Sequence, residues 1–256
     1  MNDNYLDIAN NLLEGFRPVS LAEMDDVKLM DRIDSKYILS FKDLPAVVNR
    51  LKDYYRVLTI KNTRVFSYRT DYFDTPGLEM FADHHNGKLN RFKIRQREYI
   101  ESKLKFLEVK FKSNKGRVIK DRIEKEFDDH TSFSRFVNKF TPYNPDILNI
   151  IIINRFNRFT LVDNNLQERV TIDFNLSFSD HINKLNLDGL VIIEVKQSKN
   201  GRRSIVFNAL RENSIRKGSI SKYCLGVSML NRHNKSNNFK QTIHLVNKLS
   251  HVEISA

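Results

Sequence analysis

Cysteine is nearly missing from this 256-residue chain. The single Cys224 excludes an intrachain disulfide and any cluster of cysteines around a metal, and it fits a reducing compartment. Long apolar runs are missing as well: the nearest approach, NIIII at Asn149 to Ile153, falls far short of the ~20 residues a helical membrane span needs. The opening MNDNYLDIAN carries Asp3 and Asp7 and no apolar stretch, so no secretory signal is expected. There is no internal repeat and no low-complexity linker. Acidic residues are in deficit, 31 against 43 Lys and Arg, and the resulting net charge of +12 points to an anionic partner. Nucleic acid, an acidic membrane and a phosphate-rich small molecule are the classes left open, with a soluble, cytoplasmic protein as the expectation.

What the chain does have is a series of short segments with alternating polarity. RIDSKYILS begins at Arg32, and VFSYRTDYFDTPG runs from Val65 into a Pro76-Gly77 turn. RFKIRQREY starts at Arg91, KLKFLEVKFK at Lys103 and GRVIKDRIEKEF at Gly116. NRFNRFTLV starts at Asn154, RVTIDFNLSF at Arg169 and LVIIEVKQ at Leu190. These are about eight segments of ordinary strand length, at fairly even spacing and with short connections, which suits a closed antiparallel sheet better than crossovers. Helical signal is confined to the first thirty residues, Leu44 to Tyr54, Asp128 to Phe140 and the region after Ser204. Ser20-Leu-Ala-Glu23 is a capping box opening a helix at about 20–30. The apolar faces of Ser204–Glu212 and Lys222–Leu230 are expected to cover the outer wall of the sheet. Beyond Leu230 the tail, 231–256, is polar, although HLVNKLSHVEI has apolar positions with which to dock.

The alternation has a second property. In RFKIRQREY the residues Arg91, Lys93, Arg95 and Arg97 fall on one face of a strand, because successive side chains point to opposite sides. Glu108, Lys110 and Lys112 share a face, as do Lys120, Arg122, Glu124 and Glu126. Arg32, Asp34 and Lys36 align likewise, Arg169 shares a face with Asp173, and Glu194 stands with Lys196. A row of charge on a strand is most simply a solvated outer face. Such faces mix their signs, however, since like charges opposite one another destabilise a sheet, and here cations dominate strand after strand. A barrel with its charged faces inward accounts for this: the lumen would hold a polyanion, and its few carboxylates a divalent cation, Mg²⁺ or Mn²⁺. The aromatics Phe92, Phe106 and Phe111 alternate with the charges and are expected to face away, which argues against base stacking and so against nucleic acid.

The motifs LMDRIDSKYILS, YFDTPGLEMFADHHNGKLNRFKIRQREY, FLEVKFKSNKGRVIKDR, RFNRFTLV, RVTIDFNLSF, VIIEVKQ and SKYCLGV appear in one order over residues 16 to 230. As a set they resemble the VTC domain, the polyphosphate polymerase branch of the CYTH-like triphosphate tunnel metalloenzymes. The resemblance implies an α+β fold: an eight-stranded antiparallel β-barrel with a charged lumen, flanked by helices, in one domain covering 1–230. It implies phosphate-binding, catalytic roles for Lys36, Arg95, Arg97, Lys110, Lys120, Arg158, Arg169 and Lys222, with Lys196 beside them. Lys222 would sit on a helix closing the tunnel, and Glu194 matches the family's metal-binding glutamate. Arg32, Lys93 and Arg122 lie on the same stripes and are expected to bind substrate. CYTH relatives begin with Glu-x-Glu-x-Lys where this chain has Arg32-Ile-Asp34-Ser-Lys36, and losing one acidic ligand fits the polymerase branch better than the hydrolytic one.

The activity this implies is transfer of the terminal phosphoryl group of ATP to polyphosphate, with Mn²⁺ or Mg²⁺. Hydrolysis of inorganic triphosphate or a nucleotide, and binding of polyphosphate or nucleotide without turnover, are the alternatives; no protein partner is implied. Asp34, Glu124, Glu126 and Asp173 are either second metal ligands or, the simpler role for a buried charge, ion-pair partners of the arginines. His84-His85 reads as part of a loop, and Cys224 as a small buried hydrophobe.

Overall fold

The computed structural model describes residues 3–25, 32–124, 130–198, 204–230 and 235–255. Eight long strands follow the alternating segments: β2 (Arg32–Ser40), β4 (Phe66–Asp74), β5 (Arg91–Tyr99), β6 (Leu104–Lys112), β7 (Val118–Glu124), β8 (Asn149–Asp163), β9 (Glu168–Ser179) and β11 (Leu190–Ser198). They lie in the order β2-β11-β9-β8-β4-β5-β6-β7, each pair of neighbours antiparallel. Short strands extend the sheet. β12 (Lys217–Gly218) lies beyond β2, β3 (Tyr55–Leu58) beside β8, and β1 (Arg17–Val19) parallel to β3. β10 (Lys184–Asp188) pairs with β9 and with β13 (His251–Ser255), so the C-terminal segment is part of the sheet.

The expected closed barrel of eight strands is corrected to an open sheet of thirteen. Its path has two free margins, β12 and β7, and among the described residues no ladder joins them. Closure needs a continuous run of backbone donors and acceptors across the last seam, and β12 is only 2 residues long. The sheet is nonetheless strongly curled. Lys196 on β11 and Lys110 on β6 have four strands between them, yet the first acts electrostatically on the second. Bulges contribute twist. One extra residue on β9 falls opposite Arg155–Asn157, where Asn175 takes a φ of 52°, and one on β8 falls opposite Tyr72–Phe73.

Helices cover the convex side, as the parity of the strands requires. α1 (Asp3–Leu13), α3 (Leu44–Asn49) and α6 (Ile205–Glu212) bury Leu13, Val47 and Leu210 in one cluster with Phe159, Ile172 and Val191. α5 (His130–Phe140) sets Phe133, Phe136 and Val137 on Ile94, Leu107 and Val109. α2 (Leu21–Asp25) opens on the expected capping box, where the Ser20 amide donates to Glu23 at 2.9 Å and the Glu23 amide to Ser20 at 3.3 Å. The rest of that expected helix, to Met30, lies outside the described residues.

The concave side departs from expectation in two places. Every residue from Tyr223 to Leu230 in α7 (Lys222–Leu230) is buried, so this helix has no solvent face to turn away from an outer wall. It plugs one end of the concave face, packed with Ile38, Tyr72, Phe156, Phe178 and Ile192, and that end is therefore apolar. α8 (Lys240–Leu249) adds Val246 to the same cluster. His84 and His85 form the last turn of a helix, α4 (Glu79–His85), rather than a loop. The Asp74 carboxylate caps it by accepting from the amides of Met80 at 3.0 Å and Phe81 at 2.9 Å, after Leu78 turns the chain at φ 56°.

Candidate functional site

Strand register turns the charged stripes into rows across the concave face. Lys93, Lys110 and Lys120 are direct partners across β5, β6 and β7, and Arg95, Glu108 and Arg122 form the next row. On the opposite side of the curl, Arg169 and Asp34 flank Lys196, and Thr171 and Lys36 flank Glu194. Three lysines in register are unfavourable in any sheet without countercharge.

Two buried carboxylates supply part of it. Glu108, 1% exposed, accepts from Arg95 Nε at 2.5 Å and also pairs with Lys120. Asp173 takes both arms of Arg158, Nε at 2.5 Å and Nη2 at 2.8 Å, and a bond from Lys222. Beneath these lies an aromatic floor: Tyr68 and Phe156 stack with ring centroids 5.1 Å apart. The guanidinium groups of Arg97 and Arg158 sit 5.3 to 5.8 Å from those centroids, and Lys222 Nζ lies 3.2 Å from that of Phe156. The turn into α7 ties the two sides together, because Lys93 donates to Ser221 Oγ at 2.8 Å and Lys36 to the Ile220 carbonyl at 2.9 Å.

The electrostatics record the crowding. The Arg95 charge, burial and Arg97 push the Lys110 ammonium well below its ordinary range. Burial, with Lys36, Arg91 and Arg95 adding to it, brings Lys93 down to about 8. Burial and Arg158 bring Lys222 to about 7 against the pull of Asp173. Lys120 and Lys196 are lowered as well, chiefly by burial. Burial opposes ionisation of Glu108 and Asp173, but the cations around each hold it below the usual carboxylate range. For Glu194 the same contest, won by Lys196 and Lys36, ends at about 2. Burial and the charges of Lys93, Arg91, Lys112 and Lys36 push His84 to about 3, so its imidazole is neutral at one end of the groove.

The groove therefore brings together Lys36, Lys93, Arg95, Arg97, Lys110, Lys120, Arg158, Lys196, Lys222 and Glu194, with Arg169 in register beside Lys196. Asp173 is an ion-pair partner of Arg158 and Lys222. Arg122 stands at the margin with its guanidinium 4.9 Å over Phe106, which corrects the expected outward orientation of that ring: position 106 shares the parity of Glu108 and Lys110. Arg32 begins β2 opposite Ser198, while its side chain, like Glu126, lies outside the described residues. Glu108 and the Tyr68–Phe156 floor are functional surroundings that sequence reasoning passed over. The available signal was the lone carboxylate in FLEVKFK, placed where a hairpin sets it against Arg95.

Among the described residues no group of three His, Cys, Asp or Glu side chains could hold a metal ion unaided. Glu194 differs from Glu108 and Asp173 in that its ion-pair partner, Lys196, stands off at 3.7 Å. A carboxylate whose ion-pair contact is this long suits a hard cation that completes its shell with phosphate oxygens and water.

A family model described as "VTC domain" matches residues 31–231. No curated protein matches the chain. Among solved structures, a Hippeastrum protein named for adenylyl cyclase and described as having a dominant triphosphatase activity is similar with a TM-score of 0.53 and 14% identity, over 77% of this chain and 96% of its own. A Vibrio parahaemolyticus protein named for adenylate cyclase gives 0.45 and 13%, over 75% and 95% of the two chains. At 14% identity the likeness to the Hippeastrum protein speaks to fold alone.

Proposed function

The chain belongs to the VTC-domain family, and from that premise we propose that it is a phosphotransferase of the polyphosphate-polymerase type, moving the terminal phosphoryl group of ATP onto a polyphosphate chain lying in the concave groove. The observation that carries this reading is the surplus of inward cations over inward carboxylates, two of which, Glu108 and Asp173, are already committed to ion pairs. Phosphoryl transfer asks of a protein mainly positioning and stabilisation of charge, so no nucleophilic side chain is needed. Arg97 from β5 presents a planar fork suited to a pair of phosphate oxygens, while Arg95 and Arg158, whose Nε and Nη2 already engage Glu108 and Asp173, offer the remaining edge of each guanidinium. Lys36, Lys93, Lys110, Lys196 and Lys222 neutralise the remaining charge.

In the proposed step a terminal oxygen of the acceptor chain attacks the γ-phosphorus in line. The bond from that phosphorus to the β–γ bridging oxygen breaks, and ADP leaves with the electron pair. Mg²⁺ or Mn²⁺ held by Glu194 together with phosphate oxygens would add positive charge at the transferring group. The test is incubation with ATP, Mn²⁺ and a short polyphosphate primer, separating the products by size. ADP with lengthened chains is expected; free phosphate without lengthening would assign hydrolysis instead, and no turnover would leave a binding module. Glu194→Gln is expected to abolish turnover while retaining tripolyphosphate binding measured without metal.

A further inference from the structure

A groove of about 360 Å³ lies outside the concave site, between α5 and the marginal strand β7. Arg122, Arg135 and Lys139 line it over Phe136 and Phe140, with Asp121 as the one opposing carboxylate. Arg135 and Lys139 are exposed, and among the described residues neither has an ion-pair partner. Lys139 Nζ rests 5.2 Å from the Phe140 centroid, a cation–π contact that orients the ammonium and leaves its net charge in place. None of these groups takes part in the step proposed above.

Position gives the groove its meaning. β7 is the last strand of the sheet, so nothing among the described residues pairs with its far edge. Arg122 belongs to both sides of that edge. It lines the outer groove, and it also stands over Phe106 on the concave face, in register with Glu108 in the row that holds Arg95. Cations therefore stand on both sides of this margin, Arg95 and Lys120 inside, Arg122 at the lip, and Arg135 and Lys139 outside. A ligand of two or three phosphates fills only the first part of such a track, whereas a long linear polyanion can occupy all of it.

We propose that the α5–β7 groove is a second binding site for the distal part of a polyphosphate chain that crosses the open margin of the sheet. The proposal rests on the tunnel reading above and deepens it. The test compares the affinities of tripolyphosphate and of a polyphosphate several tens of units long for the whole chain, for Arg135→Glu/Lys139→Glu, and for a control with the same change of net charge, Lys240→Glu/Lys248→Glu, whose sites are exposed on α8. The groove variant is expected to lose long-chain affinity by roughly tenfold while its tripolyphosphate affinity stays within about twofold, as local charge pairing predicts. Equal losses in the groove and control variants, equal losses for both ligands, or no loss at all would overturn it. If the unaltered chain fails to bind tripolyphosphate, the tunnel reading falls and takes this proposal with it, a result distinct from the others.

Discussion

Replacing Glu108 by glutamine tests whether the groove's cations are mutually repulsive until an anion arrives. The substitution keeps shape and removes one charge from a site that is 1% exposed. Arg95, whose side chain is 11% exposed, and Lys120 then lose their shared partner, beside Lys110 and Arg97. Breaking one side of a buried ion pair costs about 3–5 kcal/mol. The Lys120 side chain is 37% exposed, so water retains part of its share and the lower end, about 3 kcal/mol, applies. For a domain of this size that lowers the melting temperature by roughly 6–12 °C. Tripolyphosphate at one hundred times its dissociation constant stabilises a native state by about 2.7 kcal/mol. The variant should gain more than the parent from the same excess over the parent's constant, because the anion replaces the missing charge. The assay is thermal unfolding of both proteins with and without tripolyphosphate at fixed ionic strength. A variant as stable as the parent without anion, or an equal gain in both, would refute the reasoning.

Alanine at Gly226 would place a Cβ 2.7 Å from Phe178 Cδ1 and 3.0 Å from Ile152 Cγ2, both in side chains 1% exposed. The helix α7 must then shift and carry Lys222 away from Asp173, so stability should fall by about 1–3 kcal/mol and tripolyphosphate affinity with it; calorimetry showing neither change would rule this out. The pH dependence has a definite sign. Lys222 and Lys93 titrate near 7 and 8 in the folded chain but near ~10.4 when unfolded. Between those limits the unfolded state holds more protons, so stability of the anion-free protein rises from pH 7 to 9. Urea midpoints that stay level or fall over that range would contradict it.

The long strands were legible because their polarity alternates: Phe92, Ile94, Leu107 and Val109 mark one side and the cations the other. The inward direction of those cations was legible for a different reason, since cations dominate strand after strand and like charges opposite one another destabilise a sheet that has no countercharge. What escaped depends on distant partners. α4 has Leu78 at its N-cap position and takes its capping from Asp74 and Thr75 at the end of the preceding strand, beyond the usual capping spacing. β12 is two residues that become a strand only where β2 offers an edge. The Asn175 bulge flips the parity of β9, so Leu176 and Phe178 enter the concave apolar cluster while Asp173 faces the same side among the cations, and simple alternation misses this. Closure could not be read from segment count, because it is decided by whether the last two edges meet.

That open margin gives the molecule a mechanical character. Strands β5, β6 and β7 share an apolar cluster with α5, Met80 of α4 and Leu148, and within the sheet they join the remaining strands through one ladder, Tyr68–Phe73 against Ile94–Tyr99. A sealed cylinder has its bore set by strand number and shear; two pages hinged along a spine do not. Under the proposed function, a string of phosphates laid between them would offset the like charge facing across the groove, so the width of the passage would depend on the cargo as well as on the scaffold.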